Sequence, residues 1–231
     1  MSAAPLAFLL RWSRRLLLAW VVLVALVGAG RMVQVAWDSR YDGPREPYLQ
    51  MVSSDGITLR WQSGRREVGV VRYGTDPARL DQAAREATAR VNHEIRLGGL
   101  APATRYYYSV GTDAGVFRGG PDHWFHTAPP PGAEAPVRFW VQGDPGWWHE
   151  GSRGGRDAML DWSARHGRVD GAPIDLWLTT GDNAYNSGKA REFQAALFEP
   201  YAGLLRNIPY LPVYGNHDAR RATFFRAFSF P

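Results

Sequence analysis

The chain has 231 residues, suited to one or two domains, and is 45% hydrophobic and 13% aromatic, enough for real cores. Its formal charge of +5 rests almost wholly on arginine, because Lys189 is the single lysine; the arginines are scattered, which argues for a soluble surface and against a nucleic-acid partner. The absence of cysteine excludes disulfides, thiolate metal sites and a lipoprotein anchor.

The N-terminus reads as a targeting element. Arg11, Arg14 and Arg15 precede Leu16 to Gly30, 15 residues without a charge. That core is short for a membrane span, which needs about 20 residues. Apolar character resumes after Arg31 through Val33, Val35 and Trp37. Positive charge ahead of the core holds the N-terminus inside and sends the rest across a membrane. Ser13-Arg14-Arg15-Leu16-Leu17 resembles a twin-arginine export signal. Small residues near Val27 to Gly30 offer a cleavage site, so a cleaved signal and a retained anchor both stay open. The expected location is exported, periplasmic or extracellular, with anchoring to the inner membrane if the segment is kept. Asp38 to Glu46 is a polar spacer broken by Gly43-Pro44.

Short strands follow. They are expected at Pro47–Val52, Ile57–Trp61, Val68–Tyr73, His93–Leu97, after a corner within Leu100–Val110, and at His123–Thr127. This spacing argues for an antiparallel sandwich. Asp81 to Arg90, rich in Ala and Arg, reads as a helical turn or a loop. His123 and His126 lie three apart on one strand and so face opposite sides, which makes them poor joint ligands.

Pro129-Pro130-Pro131-Gly132 is a stiff linker and marks a domain boundary. Beyond it, strands at Val137–Val141, Ile174–Leu178 and Tyr210–Tyr214 alternate with helical stretches. The first helix is expected over Arg153–His166, with Met159, Leu160 and Trp162 inward. The second is expected over Ala190–Leu205, with Phe193, Leu197 and Leu204 inward. Ala222 to Phe230 reads as irregular. Strand, helix, strand, helix, strand makes right-handed crossovers and a parallel layer.

Each of the three strands reads as covered on both faces and ends in a polar loop: Gly143-Asp144-Pro145-Gly146, Gly181-Asp182-Asn183-Ala184-Tyr185 and Gly215-Asn216-His217-Asp218. Ligands of a parallel sheet sit beyond the carboxyl ends of its strands. Asp144, Asp182, Tyr185, Asn216 and His217 should therefore face one crevice. An oxygen and imidazole set without thiolate suits manganese, iron or zinc. Converging carboxylates repel, and a cation removes that cost. The loop's Trp147 and Trp148 read as packing residues, and His149 as a solvated loop histidine.

The three loops resemble the first three sequence blocks of the calcineurin-like metallophosphoesterases, and the Tyr of the second block points to the purple acid phosphatase branch. The resemblance implies Asp144 as a ligand of the first metal, Asp182 as the bridge, Tyr185 as a phenolate ligand of the first metal, and Asn216 as a ligand of the second. It implies that Asn216 and His217 contact the phosphate, with His217 assisting the leaving group. It implies two metal ions: iron, with zinc, manganese or a second iron. Asp218 stands where this branch usually has Glu, a position that is not a ligand. Gly99 to Tyr106 resembles the corner of a fibronectin type III domain, with Tyr106 or Tyr108 buried and bonded back to the chain.

The implied architecture is a signal or anchor with spacer (1–45), a fibronectin type III-like sandwich (46–128), a linker (129–136) and the N-terminal part of an α/β metallophosphoesterase domain (137–231). The implied activity is metal-dependent hydrolysis of phosphate monoesters. A phosphodiesterase or nucleotidase on the same scaffold, or a membrane-tethered sandwich with a decayed catalytic half, are the alternatives. The family's last two blocks supply three histidines, and no histidine follows His217. The chain is therefore expected to be an incomplete fragment that binds metal weakly, with an exposed apolar edge and face.

Overall fold

The computed structural model describes residues 4–147, 150–166 and 171–231. The chain divides into two compact units, one ending at Arg40 and the other running from Tyr41 to Pro231. The first is a single helix, α1 (Ala4–Asp38). Its stretch Arg14–Asp38 is 25 residues, long and apolar enough to cross a membrane. The apolar segment is thus longer than the 15-residue core suggests, because the helix continues unbroken past Arg31.

The second unit opens with a sandwich. One sheet is ordered β1 (Arg45–Gln50), β2 (Ile57–Glu67), β5 (Arg90–Leu97). The other is ordered β4 (Gln82–Arg85), β3 (Val70–Gly74), β6 (Arg105–Gly111), β7 (Val116–Arg118), with β8 (Trp124–His126) also pairing β6. The pairings among these strands are antiparallel, setting a three-stranded sheet against a five-stranded one in a fibronectin type III-like sandwich. Leu49, Ile57, Leu59, Val71, Tyr108, Val110 and Phe125 are fully buried between the sheets. His93 ties the sandwich together. Its Nδ1 lies 2.7 Å from Glu86, its Nε2 lies 2.8 Å from Ser63, and its ring stacks on Trp61.

Two expectations change here. Residues 81–90 hold the edge strand β4 rather than a helical turn. Its side chains are mostly exposed, so no apolar alternation betrays it; only pairing with β3 fixes it. The corner choice is also resolved. The amide of Ala101 donates to Oη of Tyr106 at 3.0 Å, which makes Tyr106 the corner residue.

The remainder is a parallel sheet ordered β11 (Tyr210–Leu211), β10 (Leu176–Thr179), β9 (Phe139–Gln142). Helix α2 (Glu150–Arg165) connects β9 to β10. Ser163 is fully buried and Met159 nearly so, one turn apart, while Trp162 is exposed and stacks on His166. Trp162 is therefore not an inward residue: the 159 and 163 positions define the buried stripe. The stretch Ala190–Leu205 is not one helix. It is α3 (Ala190–Phe193), a π turn (Gln194–Phe198) and α4 (Ala202–Leu205), interrupted at Pro200. Phe193, Leu197 and Leu204 are buried as expected. The last segment forms α5 (Arg221–Ala227) instead of irregular chain. Phe and Thr are indifferent helix formers, and packing of Phe224 and Phe228 into the core overrides that weak propensity.

One face of the parallel sheet carries Trp140, Trp177 and Tyr210 in register, and Trp177 and Tyr210 are fully buried. The other face is open, which departs from the covering that the apolar runs suggest and agrees with the exposed apolar face expected above. Phe139 is 60% exposed and Val141 51%, in register with Leu176 and Leu178.

The sandwich and the parallel layer share one compact unit because hydrogen bonds cross between them. Tyr108 donates to the Arg206 carbonyl at 2.7 Å, and the Asn207 amide donates to the carbonyls of Asp122 and Trp124. Tyr48 of β1 donates to the Ala227 carbonyl and lies in the core of the layer. Asp122 and Arg206 pair at 2.9 Å.

Candidate metal centre

β9 and β10 end side by side, and their loops are bonded backbone to backbone. Asp144 N–H donates to Gly181 O at 3.3 Å, and Gly146 N–H to Asp182 O at 3.3 Å. The strained residues are the aspartates themselves. Asp144 has φ 54° and Asp182 φ 57°, both in the left-handed region. Such a backbone costs about 1–3 kcal/mol per residue and persists only where its surroundings hold it. The flanking glycines serve close approach. A Cβ on Gly215 would fall 2.2 Å from Oδ1 of Asp182, so only glycine lets the third loop reach the second.

This geometry brings three predicted residues together. The hydroxyl of Tyr185 donates to Oδ1 of Asp144 and lies 3.0 Å from Oδ2 of Asp182. The other oxygen of Asp182 accepts the backbone N–H of His217 at 2.7 Å. His217 turns its imidazole against the Tyr185 ring, with centroids 4.3 Å apart. Its Nδ1 lies 2.9 Å from the Asn186 carbonyl. A carbonyl only accepts, so Nδ1 carries the proton and Nε2 is the ring atom left for chemistry. Asn216 is exposed beside His217 and bonds to none of the three oxygens. Trp147 meets the Tyr185 ring edge-on at 4.6 Å, so it does pack, but on the site itself. Trp148 and His149 lie outside the described residues. His123 and His126 stay apart: His123 pairs with Asp122 and His126 with Arg105.

Histidine, cysteine, aspartate and glutamate alone form no group of three among the described residues. The convergence here takes a phenol as its third donor. Two carboxyl groups and a phenol converge here, an arrangement that a cation would relieve. Burial, then the hydrogen bonds to Asp144 and Asp182, push the Tyr185 hydroxyl far above the ordinary phenol range, so it stays protonated, and a cation held here would have to displace that proton. The donor set fits a hard or borderline cation.

Behind these loops lies a network that the sequence reading passed over. Asp218 is fully buried and accepts from Gly215 N–H, Asn183 N–H, Ala184 N–H and Asn183 Nδ2. Asn183, also fully buried, takes Thr179 Oγ1 and Tyr210 Oη on its carbonyl and gives its amide to Val213 O. Burial raises the Asp218 carboxyl above the ordinary range despite the donors around it. The available signal was a polar residue at the end of a motif whose neighbours are all loop amides.

Comparison with known proteins finds relatives for both parts of the second unit. Residues 44–127 match the family described as purple acid phosphatase, N-terminal domain, and residues 137–231 match the calcineurin-like phosphoesterases. The chain thus joins a purple acid phosphatase N-terminal region to a region of the calcineurin-like phosphoesterase family. Purple acid phosphatase 21 of Arabidopsis thaliana is 24% identical over 190 residues, covering 76% of this chain and 38% of the relative. Purple acid phosphatase 22 of the same plant is 23% identical, covering 78% of this chain and 39% of the relative. The chain thus spans less than half the length of these phosphatases. A solved structure of PhoD superposes with a TM-score of 0.56 at 13% identity, over 80% of this chain and 46% of that one, and supports the fold. The family works through a binuclear metal centre, and its members are phosphoesterases.

Proposed function

We propose that this protein is an exported acid phosphatase-type enzyme that hydrolyses phosphate monoesters at a two-metal centre. The observation that carries this reading is the convergence of Asp144, Asp182 and Tyr185 at adjacent strand ends, with His217 held against Asp182. In this reading Asp144 and Tyr185 would hold a first cation, iron, Asp182 would be shared between the two cations, and Asn216 would contribute to a second cation of zinc, manganese or iron. Bound cations supply Lewis acidity toward water and the phosphate oxygens.

The chain's own residues orient and protonate. The His217 amide fixes one oxygen of Asp182, which aims the other oxygen at Tyr185. The Asn186 carbonyl fixes the His217 tautomer, so a protonated ring presents Nε2–H to a departing alkoxide. Asn216, exposed beside His217, would meet a phosphate oxygen. The stretch Arg14–Asp38, with basic residues on its N-terminal side, supports export with the remainder outside the cytoplasm. Residues 46–128 serve as the sandwich module, 129–136 as linker and 137–231 as the catalytic layer.

Asp182→Ala tests the centre. Metal content, measured by atomic emission, and hydrolysis of p-nitrophenyl phosphate should fall together. Retained occupancy of two metals in the variant would defeat the bridging role. Faster hydrolysis of bis-p-nitrophenyl phosphate than of the monoester by the unaltered protein would assign it to the diesterases.

A further inference from the structure

We propose that Asp218 is a positioning residue, a buried carboxylate clasp that holds the Asp182–Tyr185 loop against the Asn216–His217 loop before any cation arrives. Its significance for metal binding rests on the metal-centre reading above; the clasp itself does not. Asp218 is fully buried and forms no ion pair among the described residues. Its two oxygens accept from Asn183 N–H at 3.0 Å, Asn183 Nδ2 at 2.7 Å, Ala184 N–H at 3.2 Å and Gly215 N–H at 2.9 Å. Two of these partners lie between Asp182 and Tyr185, and the third begins the loop that carries Asn216 and His217. One carboxylate therefore gathers the amides of both ligand loops.

Every partner is a donor, so the position requires an acceptor on both oxygens. An asparagine of the same size would turn an NH2 group against N–H groups and leave donors unsatisfied in the interior. The close packing around it is equally directed. A Cβ on Gly188 would fall 2.9 Å from the Asp218 backbone, and Arg220 N–H donates to Ser187 O, so the chain after each loop is stapled as well. The consequence is a site whose ligand geometry is set by the protein. Outer-shell groups of this kind typically change metal affinity about 10–100-fold when removed.

The test compares the unaltered chain with Asp218→Asn and Asp218→Glu, all free of metal, by amide hydrogen exchange read by mass spectrometry. In Asp218→Asn, exchange at residues 181–186 and 215–218 should rise about tenfold or more, with β2, β5 and β6 of the sandwich unchanged. Asp218→Glu keeps an acceptor-only group and should restore most of the protection. Manganese titration by calorimetry should then show about tenfold weaker binding in Asp218→Asn, with Asp218→Glu much closer to the unaltered chain. Unchanged loop exchange in Asp218→Asn would overturn the clasp. So would a uniform rise across the whole chain, which marks a general core residue. If the unaltered chain takes up no manganese, the metal-centre reading fails, and loop exchange alone still decides the clasp.

Discussion

Oη of Tyr185 sits 3.0 Å from Oδ2 of Asp182, three residues earlier on the same loop, and donates across to Asp144 on the neighbouring loop. One phenol therefore connects the carboxylates of two strand ends. Tyr185→Phe removes that oxygen and keeps the ring that packs between Trp147 and His217. The fold should be retained, because the ring contacts survive. Cation binding should weaken by about tenfold or more, since an anionic ligand is lost and two carboxylates face each other unrelieved. Calorimetric titration with manganese checks this; equal affinity in both proteins would remove Tyr185 from the ligand set.

Tyr106 and Tyr108 lie two residues apart on β6 and point the same way, yet their hydroxyls do different work. Tyr106 closes the corner on Ala101, within the sandwich. Tyr108 reaches the Arg206 carbonyl in the parallel layer. Tyr108→Phe takes the donor from the partly buried Arg206 carbonyl and should cost about 1 kcal/mol. Because that bond joins the two layers, the loss should appear as earlier melting of the parallel layer, followed by near-ultraviolet circular dichroism. Tyr106→Phe should lower the stability of the sandwich by a similar amount.

Much of this was legible before the structure. The alternating runs of the sandwich, the parallel pairing of the last three strands and the meeting of Asp144, Asp182 and Tyr185 all follow from patterns that physics ties to position: period two, Gly-bounded apolar runs, and carboxylates at strand ends. What was illegible lacked such a pattern. β4 is an exposed edge strand without alternation. Helix α5 has poor intrinsic propensity and exists because Phe224 and Phe228 find a core. Tyr106 and Tyr108 were indistinguishable by sequence, because the choice depends on where Ala101 and Arg206 fall in space. Asp218 looked idle because it touches amides rather than ligand oxygens.

Asp122 gives a pH dependence. Burial pushes its carboxyl up, but the hydrogen bond from His123 and the charge of Arg206 outweigh this and hold it below the ordinary aspartate range. A carboxyl lowered by folding binds protons less readily in the native state than in the unfolded chain. Its contribution is therefore present above about pH 4 and is lost as pH falls through the native value. The melting temperature of Asp122→Asn should lie below that of the unaltered chain at neutral pH, and the two should converge in acid. The difference should be small, because about half of the carboxylate faces water. A gap that widens in acid would reverse the sign assigned here.

The uncovered face of the parallel sheet gives the last prediction. Parallel strands are ordinarily buried on both faces, because the crossovers that join them lay helices against the sheet. Here Trp177 and Tyr210 fill one face, whereas Phe139 and Val141 stand open on the other, in register with Leu176 and Leu178. Neighbouring apolar side chains in adjacent strands make a contiguous patch rather than isolated exposed residues. The chain should therefore bind the dye ANS in its native state, and Phe139→Ser with Val141→Ser should reduce that fluorescence sharply. Exposed side chains contribute little to stability, within about 0.5 kcal/mol, so the melting temperature should hardly move. If instead the double substitution lowers the melting temperature by many degrees, Phe139 and Val141 are buried in solution and this face is covered.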